Sequence, residues 1–168
     1  MGHREREHWV FAFGSNLNRS DLERWLAKNH YDPKGILALE PALLRDFSLV
    51  WDYRSPVRRG GAANVVPATS QVVYGGLLRV DEPTLYALDH KEGHPERYCR
   101  GEEPRLCEYF PPSRPPVSAW LYEVQPAFKE PAFTAPRRVY RDVVVQGASE
   151  LGLPEDWIAM LRATPTLD

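Results

Sequence analysis

After a charged start the chain runs apolar without a break through Trp9-Val10-Phe11-Ala12-Phe13, so His8 to Phe13 predicts a short buried strand. Gly14-Ser15-Asn16 stops it. Ser20 then reads as the N-cap of a helix, with Glu23 three residues on completing a capping box. Leu22, Trp25 and Leu26 supply the apolar stripe of that helix, which ends near Asn29 ahead of the turn Asp32-Pro33-Lys34-Gly35. From Ile36 to Tyr53 the pattern is strand-like in pieces, with Phe47, Leu49 and Trp51 alternating with their neighbours. Pro56 to Gly61 reads as a loop and Asn64 to Pro67 as a short strand. Val72 to Val80 is a strong strand, and its paired glycines, Gly75 and Gly76, mark a bulge or a close backbone approach.

Asp81-Glu82-Pro83 starts a second helix, with the proline in the tolerated first turn and Leu85, Leu88 and Asp89 on one face. Gly93 and Pro95 close it. Tyr98 to Phe110 and Val117 to Val124 predict strands around the proline-rich turn 111–116. From Pro136 the period becomes helical, with Val139, Val143, Gln146 and Ser149 on one side and Tyr140, Val144 and Leu151 on the other. Gly152 is placed to cap that helix, and Pro154 opens a last one through Trp157, Met160 and Leu161. Strands crowd the middle without regular alternation with helices, which predicts an α+β fold rather than a doubly wound parallel sheet.

Length and charge narrow the classes. The 168 residues fit one domain spanning 1–168, and 43% hydrophobic residues suffice for a core without disulfides. Sixteen prolines, about twice the usual share of roughly 5%, predict stiff loops and short elements. A net charge of −2 offers no concentrated basic face for nucleic acid. No apolar run approaches the ~20 residues of a membrane helix. The start Met1-Gly2-His3-Arg4-Glu5-Arg6 lacks the apolar stretch of a secretory signal, and Arg6 breaks the myristoylation pattern, so the cytoplasm is the expected location. Cys99 and Cys107 match neither a zinc nor a CxxC spacing and are expected to be ordinary small side chains, a facing pair on strands staying open.

Four segments hold candidate chemistry. Phe13-Gly14-Ser15-Asn16-Leu17, between strand and helix, can present successive backbone N–H groups to an anion, though it also makes a good plain turn. Leu88-Asp89-His90-Lys91-Glu92-Gly93-His94 crowds ionisable groups at a helix end. A zinc site from His90, Glu92 and His94 fails, because Gly93 breaks the helix and the two histidines do not share a face. Solvated His90 and His94 are the plainer expectation, and a lone glutamate at a helix end, here Glu92, is ordinarily solvated too. Gly60-Gly61 ahead of Ala62-Ala63-Asn64 allows close approach of the backbone to something, or a flexible hairpin entry. The C-terminal helices resemble a helix-turn-helix, but Glu155 and Asp156 at the start of the second would repel phosphates.

Taken together, the order of segments is more specific. Phe13-Gly14-Ser15-Asn16-Leu17 after the first strand, the Gly60-Gly61 pair, Val73-Tyr74-Gly75, Leu88-Asp89-His90-Lys91-Glu92-Gly93, Tyr98, and a C-terminal Tyr140, Gly147-Ala148, Leu151-Gly152-Leu153-Pro154, Trp157 series resemble the γ-glutamylcyclotransferase family from about Trp9 to Leu161. Asp32 to Val57 carries almost none of the likeness. The family's usual tyrosine in the first turn is Phe13 here, which removes one hydroxyl.

The resemblance implies a small mixed β-barrel flanked by helices, with a cavity at one end. It implies an intramolecular reaction in which the α-amine of a γ-glutamyl group attacks its own γ-carbonyl, releasing 5-oxoproline and an amino acid or amine, with no cofactor and no metal. Glu92 stands at the family's catalytic position. An ordinary glutamate, with a pKa of about 4.3, is a weak base, so Glu92 is expected to be buried, unlike His90 and Lys91. The Gly14-Ser15-Asn16-Leu17 turn would hold the substrate by its N–H groups, most simply at the α-carboxylate. Tyr98 and Tyr140 would line the cavity and donate hydrogen bonds to substrate or Glu92, and Gly61 would give the substrate room. The leaving group stays open among an α-amino acid, a lysine-derived amine and a γ-glutamyl-protected biosynthetic intermediate, as does the oligomeric state, a homodimer included. A non-catalytic module that kept the fold to bind a small ligand is the rival of another class. The two differ in whether Glu92 faces the Gly14–Leu17 turn across a cavity.

Overall fold

A computed structural model of the chain describes residues 6–168. The expectation that the chain carries no leader or lipidation signal falls largely on residues 1–5, which lie outside the described residues.

The first apolar run forms β1 (Glu7–Ala12) and the next segments form α1 (Arg19–Lys28), β2 (Ile36–Ser55) and β3 (Gly60–Asp81). They are followed by α2 (Glu82–Glu92), the short strands β4 (Tyr98–Cys99), β5 (Arg105–Tyr109), β6 (Val117–Ala119) and β7 (Glu123–Val124), and the helices α3 (Arg138–Leu151) and α4 (Glu155–Arg162). Five strands make one sheet in the order β1-β3-β2-β5-β6, while β4 and β7 pair separately. The fold is α+β, as the pattern predicts.

The barrel is not. The sheet stays open, because β6 has only three residues and meets β1 through a single isolated bridge, Val10 with Trp120. The hydrogen bonds from Phe11 N–H to the Trp120 carbonyl and from Trp120 N–H to the Trp9 carbonyl are what hold the two ends near one another.

The predicted pieces between Ile36 and Val80 are one long antiparallel hairpin. It looks broken in sequence because it bends: Asp46 (φ 64°) and Ser70 (φ 66°) both adopt left-handed backbone, and the Ser70 N–H donates to the Asp46 carboxylate at 3.0 Å. The register slips there, with Arg45 opposite Val72 but Phe47 opposite Pro67. The start of α1 also differs from the pattern. Asn18, not Ser20, is the N-cap, its side-chain oxygen accepting from the Asp21 N–H at 3.0 Å, so the predicted capping box is not used. The helix α2 starts where expected, with Asp81 as its N-cap accepting from the Thr84 N–H, and Gly93 and Gly152 end α2 and α3 in left-handed conformation.

Phe11, Leu22, Leu26, Leu77, Leu78, Leu88 and Leu161 are fully buried in one apolar core; Leu77 and Leu78 are neighbours on β3, so both faces of the sheet are covered there. Asn64, also fully buried, ties the small β4–β7 sheet to the hairpin: it donates to Asp52 at 2.9 Å and accepts from the Val124 N–H at 2.9 Å. Cys99 and Cys107 are both free, and burial pushes the Cys107 thiol up to about 12, where it behaves as a small apolar group.

Candidate active site

The turn after β1 is a short 3-10 helix over Ser15–Leu17, closed by hydrogen bonds from Leu17 N–H to the Gly14 carbonyl and from Asn18 N–H to the Ser15 carbonyl. Those bonds use the amides of Leu17 and Asn18. The amides of Ser15 and Asn16 are not used in these turn bonds, and the Ser15 amide lies against the Tyr140 hydroxyl. The turn is held on α3 by Asn18, whose side-chain amide donates to the Val143 carbonyl at 3.2 Å.

Gly147 makes that seating possible. A Cβ there would lie 2.6 Å from the backbone carbon of Leu17 and 2.7 Å from the Asn18 nitrogen. Alanine normally gains about 1 kcal/mol over glycine inside a helix. Backbone overlap of this kind costs about 1–3 kcal/mol, so Gly147→Ala is expected to come out destabilised by denaturant unfolding. A variant as stable as the parent would contradict the contact.

The end of α2 reaches the same place. Glu92 accepts a hydrogen bond from Asn16 Nδ2 at 3.0 Å, joining the two motifs across 76 residues of chain. Its side chain is 16% exposed, so it is largely buried, as expected. His90 is exposed, also as expected. Lys91 is not: its side chain is only 8% exposed, less than that of Glu92. It turns inward because polar acceptors await it there, Asn16 Oδ1 at 2.7 Å and Ser15 Oγ at 3.2 Å, with Glu92 at 3.8 Å. An ammonium can only donate, so Lys91 fixes the orientation of the Asn16 amide with its oxygen toward Lys91 and its nitrogen toward Glu92. Burial lowers the Lys91 ammonium from its ordinary value, opposed by the charge of Glu92.

Asp89, one turn back on α2, anchors the helix end. It accepts two hydrogen bonds from Arg100, at 2.8 and 3.1 Å, and one from the Tyr122 hydroxyl at 2.6 Å. The ring of Tyr122 comes into the site on this support.

A narrow recess of about 30 Å³ lies between these elements, lined by Phe13, Gly14, Ser15, Asn16, Glu92 and the rings of Tyr98, Tyr122 and Tyr140. It adjoins an outer cavity of about 590 Å³, which shares Ser15, Glu92, Tyr98 and Tyr140 with it. That volume lies in the range of small-molecule sites. The two tyrosines pin the backbone of Ala63 from both sides. Tyr98 donates to the Ala63 carbonyl at 2.7 Å, and Tyr140 accepts from the Ala63 N–H at 3.3 Å. Tyr98 therefore does not donate to Glu92, because its proton is already used. Tyr140 accepts here, which leaves its own proton to offer. Burial pushes both hydroxyls up, that of Tyr140 to about 12, so both are protonated at neutral pH.

Of the residues the sequence singles out, the structure thus brings Gly14, Ser15, Asn16, Glu92, Tyr98 and Tyr140 together around one recess. Glu92 touches the turn directly, through Asn16, and both line the recess. Leu17 and Gly61 stand apart. Leu17 is buried in the core below the turn. Gly61 lies against the Thr134–Ala135 backbone, where a Cβ would collide with the Thr134 carbonyl, and its N–H donates to the Ala135 carbonyl at 2.9 Å. Its missing side chain makes room for the chain itself, not for a substrate. Sequence reasoning missed Lys91 and Tyr122. Nothing local marks a lysine between two polar residues as buried, and Tyr122 arrives from a segment 30 residues beyond Glu92. Among the described residues no cluster of three or more His, Cys, Asp or Glu side chains is arranged to hold a metal ion, and no helix is long and apolar enough to cross a membrane.

Comparison with known proteins bears on the fold and the family. A human protein described as uncharacterized superposes with a TM-score of 0.79 at 22% identity, covering 98% of this chain and 91% of its own. A solved structure named gamma-glutamyl cyclotransferase gives 0.78 at 20% identity, over 97% and 90%. A yeast gamma-glutamyl cyclotransferase described as specific to glutathione gives 0.58 at 12% identity, over 92% and 93%. At such identities these likenesses establish the fold. No curated protein shows a significant sequence match. Residues 10–142 match the profile of the family described as gamma-glutamyl cyclotransferase, AIG2-like, and since that stretch covers most of the chain, the chain belongs to this family.

Proposed function

We propose that the protein is a γ-glutamylcyclotransferase that forms 5-oxoproline without a cofactor, with Glu92 as the proton carrier. The observation that supports this most is the contact of Glu92 with Asn16, which places a largely buried carboxylate opposite the N–H groups of the first turn.

In this reading the α-carboxylate of a γ-glutamyl group sits on the Ser15 and Asn16 amides, and its α-ammonium sits beside Glu92. Glu92 takes a proton from the ammonium. The freed amine attacks the γ-carbonyl carbon, forming the ring C–N bond. Tyr140, with its proton free, is the donor placed to meet the oxygen on which charge builds. The Glu92 carboxylic acid then returns its proton to the departing nitrogen as the original amide bond breaks. The second proton lost by the ring nitrogen goes to the released amine, directly or through water. Holding both ends of the γ-glutamyl chain is itself a large contribution, since ring closure gains most from orientation.

The products test the reaction class. Incubation with γ-glutamyl amides is expected to yield 5-oxoproline and free amine in equal amounts. Release of glutamate in place of 5-oxoproline would mean that water, not the α-amine, is the nucleophile, and would overturn the reading.

A further inference from the structure

The wall of the outer cavity is unevenly charged. Arg24, Lys28, Arg58, Lys91 and Arg97 line it together with His90, against two carboxylates, Asp21 and Glu92. Asp21 is shared, at 3.3 Å from Arg58 and 3.6 Å from Arg24. Glu92 is the group assigned above to the substrate's α-nitrogen, and Lys91 is turned onto Ser15 and Asn16. Arg97 spends one N–H on a neutral acceptor, the Tyr53 hydroxyl, at 3.2 Å. The cavity therefore carries more positive charge than its own carboxylates neutralise.

Two of these cations lie close behind the rings of the recess, Arg58 one aromatic ring away and Arg97 two. The Arg58 guanidinium sits over the Tyr140 ring, 5.2 Å from its centre. Tyr53, held by Arg97, stands edge-on to Tyr98 with ring centres 5.2 Å apart. Tyr98 and Tyr140 line both recess and outer cavity, so whatever is attached to the γ-carbonyl and extends past them enters the space that Arg58 and Arg97 border. Concave walls of one charge sign concentrate the field and select ligands by charge. A guanidinium is also suited to a carboxylate, which it can grip with two parallel hydrogen bonds.

We infer that this cavity selects γ-glutamyl substrates by the charge of the leaving group, taking net anionic leaving portions at Arg58 and Arg97 and rejecting cationic ones. The inference rests on the cyclotransferase reading and chooses among the leaving groups that reading leaves open. An amino acid joined through its α-nitrogen presents one carboxylate close to the scissile bond, and an acidic amino acid presents two. A lysine joined through its side-chain amine is neutral overall and carries both its charges at the far end. A diamine brings a positive charge into a cavity that already has an excess.

The test is a charge series at nearly constant size, with the whole chain: γ-glutamylaspartate, γ-glutamylglycine, γ-glutamylglycinamide and the γ-glutamyl conjugate of a diamine. Rates of 5-oxoproline release and calorimetric binding are measured in parallel. The value of kcat/KM is expected to fall at each step, by about tenfold or more between the glycine and glycinamide conjugates, chiefly through KM. About 0.5 M salt should shrink the differences. Arg97→Met and Arg58→Met should each bring the glycine-to-glycinamide ratio toward one, a ratio that a general loss of folded protein would not move. Equal kcat/KM for glycine and glycinamide conjugates, or preference for the diamine, would overturn the inference while leaving the cyclotransferase intact. Release of 5-oxoproline from none of the four would overturn the enzyme reading, and binding then decides the charge question. Tighter binding of the anionic compounds would uphold charge selection by the cavity, whereas equal affinities or no binding would overturn it as well.

Discussion

Replacing Glu92 by glutamine is expected to lower kcat for 5-oxoproline release by about 10²–10⁴-fold, the usual contribution of a positioned acid–base group. The substitution is nearly isosteric, and a glutamine oxygen can still accept the hydrogen bond that Asn16 Nδ2 gives to Glu92 at 3.0 Å. The turn, the recess and the fold should survive. What disappears is a group able to take a proton from an ammonium and hand it on. The loss should therefore fall mainly on kcat, with thermal stability close to the parent's. An active glutamine variant would remove Glu92 from the chemistry, whatever else the protein does. A variant that loses activity only by unfolding would leave the carboxylate with a structural role.

The second large effect is on stability at high pH. Burial raises the hydroxyls of Tyr98, Tyr122 and Tyr140 above the ordinary value of 10, in the case of Tyr140 to about 12. Below pH 10 all three are protonated whether the chain is folded or not, so they add no pH dependence. Above 10 the unfolded chain ionises them and the folded chain does not. The folded state then holds more protons, and stability falls as pH rises. Each tyrosine contributes roughly 1.4 kcal/mol per pH unit in that window, about 4 kcal/mol for three, which is a large part of a typical stability of about 5–15 kcal/mol. Lys91 acts in the opposite sense but at lower pH. Its ammonium is lowered by burial, so the unfolded chain holds the extra proton below 10.5 and stability rises with pH as that value is approached. Urea unfolding between about pH 9 and 11 should show a steep loss beginning near 10, made shallower by Tyr122→Phe. A flat profile across that range would mean that the three rings reach solvent.

The parts of the molecule that were legible in the sequence are those whose cause is local. The apolar run at Trp9–Phe13 needs no partner to be recognised as a strand, and the turn after it needs only Gly14, Ser15 and Asn16. Asp81 with Pro83, Gly93 and Gly152 mark the ends of α2 and α3 through caps that depend on single residues. What was not legible depends on residues far apart. The long hairpin hides behind Asp46 and Ser70, which bend both of its strands at one level. The cap of α1 moved from Ser20 to Asn18 because Asn18 is also wanted by α3, whose Val143 carbonyl it binds. Lys91 is buried only because the first turn, 75 residues earlier, supplies an acceptor for it. Gly61 carried a true signal of close approach that the sequence could not address, since the Thr134 backbone that fills the space lies on a distant loop. The closed barrel was inferred from resemblance alone, and the shortness of β6 decides against it.

The central claim is that the recess folds a γ-glutamyl group back on itself between the first turn and Glu92. The measurement that tests it most directly is a crystal structure of the Glu92→Gln protein with γ-glutamylglycine bound. The account predicts the α-carboxylate on the Ser15 and Asn16 amides, the α-amine within about 3 Å of the residue 92 side chain, and the amine turned toward the γ-carbonyl carbon. A γ-glutamyl chain bound extended, with its α-amine out in the large cavity and away from residue 92, would contradict it.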